Sequence, residues 1–267
     1  MATAQIEKSL RDKDITAFHA RLRRWYAREG RKDLPWRQTS DPYAIYISEI
    51  MLQQTQVATV RERYYVPFLK RFPTLSALAA APQEAVLKAW QGLGYYNRAI
   101  NLHKAAKHCR GHLPETPEAL MALPGIGRNT AHAIAALAYH QPLAVMEANV
   151  KRVLARIFGM IHINEADLWE KAGQLLDAKH PFDYNQAMMD LGAIVCTKRS
   201  PECSRCPAES ICIGKASPGS YPAAKKKKAV PVRKQTIVVL RNAEARYFAE
   251  PRQGKFLNGL YHFPACG

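Results

Sequence analysis

Apolar side chains recur at intervals of three and four along most of the chain, the spacing that places them on one face of a helix. The pattern extends from about residue 14 to residue 212. The first helix carries five apolar residues at this spacing: Ile15, Phe18, Leu22, Trp25 and Tyr26. Asp14 can cap its start, and Gly30 can end it. The stretch predicts an amphipathic N-terminal helix.

Further helix signals follow at short intervals. Residues 45–57 begin with an apolar run and predict a buried helix. Thr116 followed by Pro117 is typical of a helix start and predicts a short helix that ends at Leu123. Asn164 can cap another helix. Ten or eleven helices are expected, and the fold class is therefore all-α.

The pattern changes after residue 212. Residues 214–234 are rich in Gly, Ser, Pro and Ala, and they contain the run Lys225–Lys228, which predicts an exposed basic linker. Residues 236–240 are mostly β-branched and predict a strand. Residues 235–267 are too few for an independent sheet domain. We therefore expect a short, truncated β segment at this end.

Charge points to an acidic partner. The chain of 267 residues has 39 Lys and Arg against 22 Asp and Glu, a net charge of +17. Such an excess favours nucleic acid or an anionic membrane surface. The most apolar stretch, residues 131–146, is too short to span a membrane and is interrupted by histidines, and the N-terminus has no apolar run typical of a signal peptide. Nucleic acid in the cytoplasm is the better prediction.

Four of the six cysteines lie close together. Cys196, Cys203, Cys206 and Cys212 are separated by six, two and five residues, whereas Cys109 and Cys266 stand apart. Such crowding indicates a metal site rather than a disulfide framework. Four thiolates can hold an iron–sulfur cluster or zinc, and the spacing differs from both ferredoxin patterns.

Residues 123–131, with the sequence LPGIGRNTA, predict a short helix, a sharp glycine turn and a second helix that begins near Arg128. The backbone amides at Gly125 and Gly127 would then point outward together and could bind a DNA phosphate. Taken alone, the segment could also be a simple glycine-rich corner between two helices.

Several longer motifs resemble one enzyme family. In chain order they are LPWR at 34–37, SEIMLQQTQV at 48–57, GLGYYNRA at 92–99, the hairpin at 123–131, and MEANVKRV at 146–153. Together they resemble the MutY family of adenine DNA glycosylases, which are helix–hairpin–helix glycosylases, over about residues 18–218. The resemblance implies that the four cysteines ligate a 4Fe-4S cluster and that Lys198 and Arg199, in the cluster loop, contact DNA.

The resemblance also implies the catalytic residues. Glu49 matches the general acid, and its apolar surroundings would raise its pKa. Glu147 matches the second catalytic carboxylate, and Asn149 matches a residue that positions the sugar or the attacking water. The family has Asp-Gly where this chain has Glu147-Ala148. The extra methylene displaces the carboxylate, and alanine excludes the backbone conformations that only glycine adopts.

The resemblance further implies how DNA is handled. Asn129 stands where bifunctional relatives carry a nucleophilic lysine, so a monofunctional glycosylase is expected. Gln54, Tyr95 and Tyr96 match positions that wedge into the base stack or contact the opposing base. For the two tyrosines, plain packing at a helix junction is the alternative.

The expected architecture is a two-lobed helix–hairpin–helix glycosylase fold with a 4Fe-4S loop. The predicted units are an N-terminal segment (1–30), a barrel lobe with the hairpin (31–145), a cluster lobe (146–213), the basic linker (214–234) and the start of a Nudix-like domain (235–267). The expected activity is the removal of adenine opposite 8-oxoguanine or guanine in double-stranded DNA, by a monomer in the cytoplasm beside the nucleoid. A glycosylase for another mispaired base and a catalytically impaired lesion binder are the alternatives.

Overall fold

A computed structural model describes residues 10–224, 234, 236–251 and 261–266 of the chain. This part is mostly helical, which confirms the all-α prediction. The α-helices are α1 (Asp12–Glu29), α2 (Pro42–Met51), α3 (Val57–Thr59), α4 (Tyr65–Arg71), α5 (Leu75–Ala80), α6 (Gln83–Trp90), α7 (Asn97–His108), α8 (Pro117–Met121), α9 (Arg128–Ala138), α10 (Ala148–Ile157), α11 (Glu165–Leu175) and α12 (Pro181–Asp190).

Two clusters of buried apolar side chains support the helices. The first is built from α2 to α9 and includes Trp90 and Ile134, both with no exposed surface. The second joins α1 to α10, α11 and α12 and includes Phe18 and Leu154. The N-terminal helix therefore packs on the later part of the chain, which also carries the cysteines.

Helix α1 departs in one detail from the sequence prediction. It begins at Asp12, so Asp14 lies within the first turn rather than at the cap. An acidic residue is also favourable there, because the first turn has free amides and a positive dipole end. Gly30 follows the last helical residue, as expected.

The predicted helix over residues 45–57 is wrong at its C-terminal end. Helix α2 ends at Met51, and Gln54 has a φ of 58°, a left-handed conformation that no helix can continue through. The chain becomes helical again at Val57, passes through a π-helical turn at Val60–Tyr64 and continues as α4. A tight loop thus separates the buried helix from the next one.

The part beyond residue 224 contributes little described structure. Two short antiparallel pairs are present, β1 (Thr236–Ile237) with β4 (Ala265–Cys266) and β2 (Glu250–Pro251) with β3 (Tyr261–His262). The predicted strand at 236–240 is therefore shorter than expected. The lysine run 225–228 and residues 259–260 lie outside the described residues. None of the described helices is both long and apolar enough to cross a membrane.

Candidate active site and DNA-binding surface

Glu49 lies near the C-terminal end of α2, on a helix whose other side chains are almost all buried. Asp41 caps this helix by accepting a hydrogen bond from the Tyr43 amide at 3.0 Å, and Pro42 occupies its first position. Glu49 is itself partly buried. The cap and the surrounding apolar contacts therefore hold a carboxylate in a fixed, water-poor place.

Glu147 is the residue immediately before α10, and the extended segment that leads to it is held from both sides. Asn185 binds this segment twice, accepting from the Val145 amide at 2.9 Å and donating to the Leu143 carbonyl at 2.8 Å. Asn129 accepts from the Met146 amide at 2.6 Å. The position of Glu147 is thus set by two asparagines, one from α12 and one from the hairpin helix α9.

The two carboxylates lie close enough to affect each other. Burial, and then the charge of Glu147, raise the pKa of Glu49 from 4.5 to about 7, against a smaller lowering by Arg37. Burial also raises the pKa of Glu147, while a hydrogen bond from Asn149 and three nearby arginines oppose the increase. The two carboxyl groups therefore differ in their surroundings: burial holds the proton of Glu49 up to about pH 7, whereas several cationic neighbours oppose the effect of burial at Glu147.

Two of those arginines, Arg31 and Arg37, are held by Asp190, which is completely buried. Arg37 donates to its two oxygens at 2.6 and 2.9 Å, and Arg31 donates to them through its amide and its Nε, both at 2.8 Å. Burial by itself would raise the pKa of Asp190, but the two arginines outweigh burial and hold that pKa below its ordinary value. The cluster joins the segment after α1 to the end of α12.

Asn149 lies in the first turn of α10, between Glu147 and Arg152. Its Nδ2 donates to Oε1 of Glu147 at 3.1 Å, and its Oδ1 accepts from Arg152 at 3.0 Å. Gly192 packs directly on it, since a Cβ there would lie 2.6 Å from the Asn149 Cβ. The amide is therefore fixed with its donor end on the carboxylate.

Ala148 causes less disturbance than the sequence suggests. It is the first residue of α10, and it is not among the described residues with a left-handed backbone. Its side chain is exposed. The expected conflict between alanine and a glycine-only backbone conformation is therefore wrong, because this helix start does not adopt one. The longer side chain of Glu147 is the remaining difference from the Asp-Gly of the family.

The hairpin is a tight glycine turn between two helices. Gly125 has a φ of 79°, and a Cβ there would lie 2.7 Å from the Asn101 Cβ, so this position requires glycine. Gly125 and Gly127 are exposed, and Ile126 between them is buried. Arg128 begins α9 and stacks on Trp169 of α11, with its guanidinium carbon 4.0 Å from the ring centre. Both glycines of the turn are therefore exposed next to a cation that is held by an aromatic ring.

The predicted wedge residues occupy unlike environments. Gln54 and Tyr95 are exposed, and both have left-handed backbones, with φ of 58° and 50°. Such conformations cost of order 1–3 kcal/mol each for residues with a side chain. Tyr96 is partly buried against the first apolar cluster, and its hydroxyl accepts from the Gly92 amide at 3.3 Å. Tyr95 is therefore available to a ligand, whereas Tyr96 is engaged in packing the loop.

The four predicted ligand cysteines line one cavity, together with Arg156. The Arg156 side chain donates to the Cys196 sulfur at 3.2 Å and to the Thr197 carbonyl at 2.7 Å. Burial raises the thiol pKa of Cys206 to about 12 and that of Cys212 to about 11, and the other cysteines add to both increases. Four thiolates can be held together here only with cationic charge among them, so the donor set fits an iron–sulfur cluster.

In the described part of the chain no group of three or more His, Cys, Asp or Glu side chains has the geometry of a metal site, so the fit of the four cysteines to a metal rests on the cavity that they share. The loop between the first two cysteines is pinned at Thr197 and Lys198, whose carbonyls accept from Arg156. Lys198 and Arg199 are exposed on this loop. Their charges are thereby displayed at the surface on a fixed backbone.

Sequence reasoning did not single out Asp190, Asn185, Arg98 or Arg156. Asp190 could have been noticed, because it is a lone acid in an apolar stretch between Met189 and Leu191. The other three are common polar residues on helices and carry no such signal. Their importance follows only from the backbone groups that folding places around them.

Comparison with known proteins agrees with this geometry. Residues 47–177 match the family model described as "HhH-GPD superfamily base excision DNA repair protein". The adenine DNA glycosylase of Homo sapiens is 45% identical over 217 residues, which are 74% of this chain and 39% of that protein. The chain thus spans about two fifths of the length of this relative.

Two further relatives extend the comparison. The adenine DNA glycosylase of Buchnera aphidicola subsp. Schizaphis graminum is 36% identical over 261 residues, covering 94% of this chain and 75% of that protein. The solved structure of a thermostable thymine-DNA glycosylase superposes with a TM-score of 0.69 at 30% identity, covering 76% of this chain and 96% of that one. The chain therefore belongs to the adenine DNA glycosylase (MutY) family of the HhH-GPD superfamily of base excision DNA repair proteins.

Proposed function

We propose that this protein is a monofunctional DNA glycosylase that hydrolyses the N-glycosidic bond of adenine paired with 8-oxoguanine or guanine. The observation that carries the proposal is the pair of buried carboxylates with opposed surroundings, Glu49 and Glu147. Base hydrolysis needs a proton for the leaving base and negative charge beside the cationic sugar. The pair can supply both. The substrate is double-stranded DNA, and a monomer beside the nucleoid in the cytoplasm suffices for the task.

In the proposed mechanism Glu49 acts first. A carboxyl with a pKa of about 7 is about half protonated at neutral pH, so Glu49 can donate its proton to a ring nitrogen of adenine and improve it as a leaving group. Glu147 is then the carboxylate beside the developing oxocarbenium ion. Asn149, which is hydrogen-bonded to Glu147, orients the sugar or the attacking water. The nucleophile is water, because no lysine stands at the position of Asn129.

The DNA is gripped away from the reacting base. In the proposal the amides of the exposed residues Gly125 and Gly127 bind a backbone phosphate. Asn129, in the helix after this turn, binds the Met146 amide and so fixes the segment before Glu147 relative to the turn. Gln54, Tyr95 and the packed Tyr96 belong to the loops that enter the space left by the turned-out base. Lys198 and Arg199 add phosphate contacts from the cysteine loop.

A 4Fe-4S cluster held by Cys196, Cys203, Cys206 and Cys212 would supply a rigid clamp for that loop, with no part in the hydrolysis itself. The fit is supported by the cavity that the four sulfurs share and by Arg156, which donates to one of them.

A second candidate function is excision of another mispaired base. It is favoured by one observation, the resemblance to a thermostable thymine-DNA glycosylase at 30% identity. A duplex panel that presents A, T and U opposite guanine and 8-oxoguanine distinguishes the two activities. Tight binding without base release would instead support a catalytically impaired binder.

The proposed activity predicts adenine release from duplexes with A opposite 8-oxoguanine, leaving an intact strand with an abasic site. Because Asn129 cannot form a Schiff base, strand scission should require hot alkali, and borohydride should trap no protein–DNA adduct. Denaturing gel analysis with and without alkali measures this. A trapped adduct would contradict the monofunctional mechanism, and release of thymine alone would support the second candidate.

The cysteine cavity predicts a brown protein that absorbs broadly near about 400 nm and contains about four irons per chain. Metal analysis and the visible spectrum measure this. Cys203→Ser should lose the band, whereas Cys109→Ser, which changes a cysteine outside the cavity, should keep it. One zinc and no iron in the native protein would overturn the cluster.

The elevated pKa of Glu49 predicts a pH profile. The single-turnover rate of adenine release should fall as pH rises through about 7, because the required proton is lost. Glu49→Gln should bind lesion DNA normally and release adenine about 10²–10⁴-fold more slowly. Glu84→Gln changes an exposed carboxylate on α6 and is the matched control.

The pH dependence of the free energy of unfolding tests the raised pKa of Glu49 independently of activity. The pKa of Glu49 is raised in the folded protein, so the folded state holds this proton more tightly and its ionisation costs stability as pH rises from 4.5 to about 7. Glu49→Gln removes that cost, which amounts to at most about 3 kcal/mol above pH 7. Denaturant unfolding at pH 5 and pH 8 should show the variant gaining on the native protein at pH 8. An unchanged difference would refute the buried-acid assignment.

The role of Glu147 predicts a large loss when its charge is removed. Glu147→Gln should slow the chemical step by more than about 10²-fold, because a charge in a water-poor site no longer stabilises the sugar cation. Glu147→Asp with Ala148→Gly restores the Asp-Gly of the family and should speed adenine release. Single-turnover rates at fixed pH measure both. An unchanged rate for Glu147→Gln, with activity arising only in the double variant, would identify the native chain as a binder.

A further inference from the structure

Gln54 and Tyr95, two of the exposed residues with strained backbones, belong to loops from different parts of the chain. Gln54 lies in the loop after α2, and Tyr95 lies in the loop before α7. Only five described residues other than glycine have positive φ, and these loops contain two of them. Strained conformations persist only where neighbouring groups over-determine them. Something must therefore hold both loops.

Arg98, in the first turn of α7, supplies that restraint. Its Nη1 donates to the carbonyls of Ile50 and Met51, at 3.0 and 2.9 Å, and to that of Gln53. Its Nη2 donates to Thr55 Oγ1 at 3.1 Å. Nη1 thereby binds the last turn of α2. Nη1 also binds Gln53 and Nη2 binds Thr55, the two residues on either side of Gln54.

The same guanidinium also holds the second loop. Nη2 donates to the carbonyls of Leu93 and Gly94, at 3.4 and 3.2 Å, directly before Tyr95. The guanidinium carbon lies 5.4 Å from the Trp90 ring centre and 5.5 Å from that of Tyr95. A planar fork can bind several carbonyls in fixed directions at once, which the point charge of a lysine cannot do.

We infer that Arg98 is a positioning residue that sets the distance between the Gln54 and Tyr95 loops, and fixes both relative to the end of the helix that carries Glu49. Its side chain acts through these loops rather than on the substrate. Turning a base out of the duplex costs unstacking energy, so the groups that fill its place must keep their positions. Arg98 supplies that stiffness at the point where the two loops meet.

This inference rests on the proposed function, because it assumes that the protein turns a base out of the duplex. It predicts that Arg98 contributes to base opening and not to the general grip on DNA. The hairpin glycines that are proposed to bind phosphate take no part in the Arg98 contacts. Loss of Arg98 should therefore spare binding of undamaged DNA.

The test compares Arg98→Lys, Thr55→Val and a control, Tyr43→Phe. Thr55→Val removes one acceptor of Arg98, whereas Tyr43→Phe removes a buried hydrogen bond to Phe72 in the same apolar cluster, away from both loops. The probe is a duplex with A opposite 8-oxoguanine and 2-aminopurine beside the adenine, whose fluorescence rises when its neighbour leaves the stack. Dissociation constants for undamaged duplex and single-turnover rates of base release complete the set.

We expect Arg98→Lys to reduce the fluorescence rise and the release rate by at least about tenfold, with undamaged-duplex affinity within about twofold of native. Thr55→Val should show a smaller loss of the same kind, and Tyr43→Phe should show none. A native fluorescence rise in Arg98→Lys would overturn the inference. If Arg98→Lys does not fold, Thr55→Val decides in the same way, a native rise overturning the inference and a reduced one supporting it. If the native protein opens the duplex but releases no base, the proposed function fails while the fluorescence comparison still tests Arg98.

Discussion

The fully buried carboxylate of Asp190 is the charge on which the rest of the active site depends. Arg31 and Arg37 would otherwise lie unpaired beside Glu49 and Glu147 and would draw both toward ionisation. Losing one member of a buried ion pair typically costs about 3–5 kcal/mol, because the partner remains desolvated. By engaging both arginines, Asp190 leaves burial as the largest influence on the pKa of Glu49. It also fixes the segment after α1 against the end of α12.

The two catalytic candidates differ in what surrounds them rather than in what they are. Glu49 lies in an apolar helix, and Arg37 is the cation that lowers its pKa, whereas Glu147 has Asn149 and three arginines around it. Burial raises both pKa values, but the opposing groups are more numerous at Glu147. The same residue type can therefore hold a proton at one position and a charge at the other, as acid–base hydrolysis of a glycosidic bond requires.

Much of this could be predicted from the sequence because the signals are local. The helical period, the Asn164 cap, and the glycine turn before Arg128 each depend on a few neighbouring residues, and each is found in the structure. The end of α2 could not be predicted, because residues 52–56 have no helix breaker and the left-handed Gln54 is stabilised by Arg98 from α7. Asp190 likewise accepts a hydrogen bond from the Arg31 amide, more than a hundred residues away. Asn185 accepts one from the Val145 amide, about forty residues away. Such contacts leave no local pattern.

The net charge of the chain does not tell which of its cations are available to a partner. A charge of +17 predicts an anionic partner, yet several arginines serve the interior instead. Arg37 is paired with Asp190, Arg98 donates to backbone carbonyls of two loops, and Arg156 donates to a cysteine sulfur and to the loop that follows it. Each of these side chains stabilises a group or conformation that is unfavourable alone: a buried acid, a left-handed loop, a ring of thiols. In the proposed function the exposed cations Arg128, Lys198 and Arg199 are those left to contact DNA; Arg128 stacks on Trp169, and Lys198 lies on a loop whose backbone Arg156 binds.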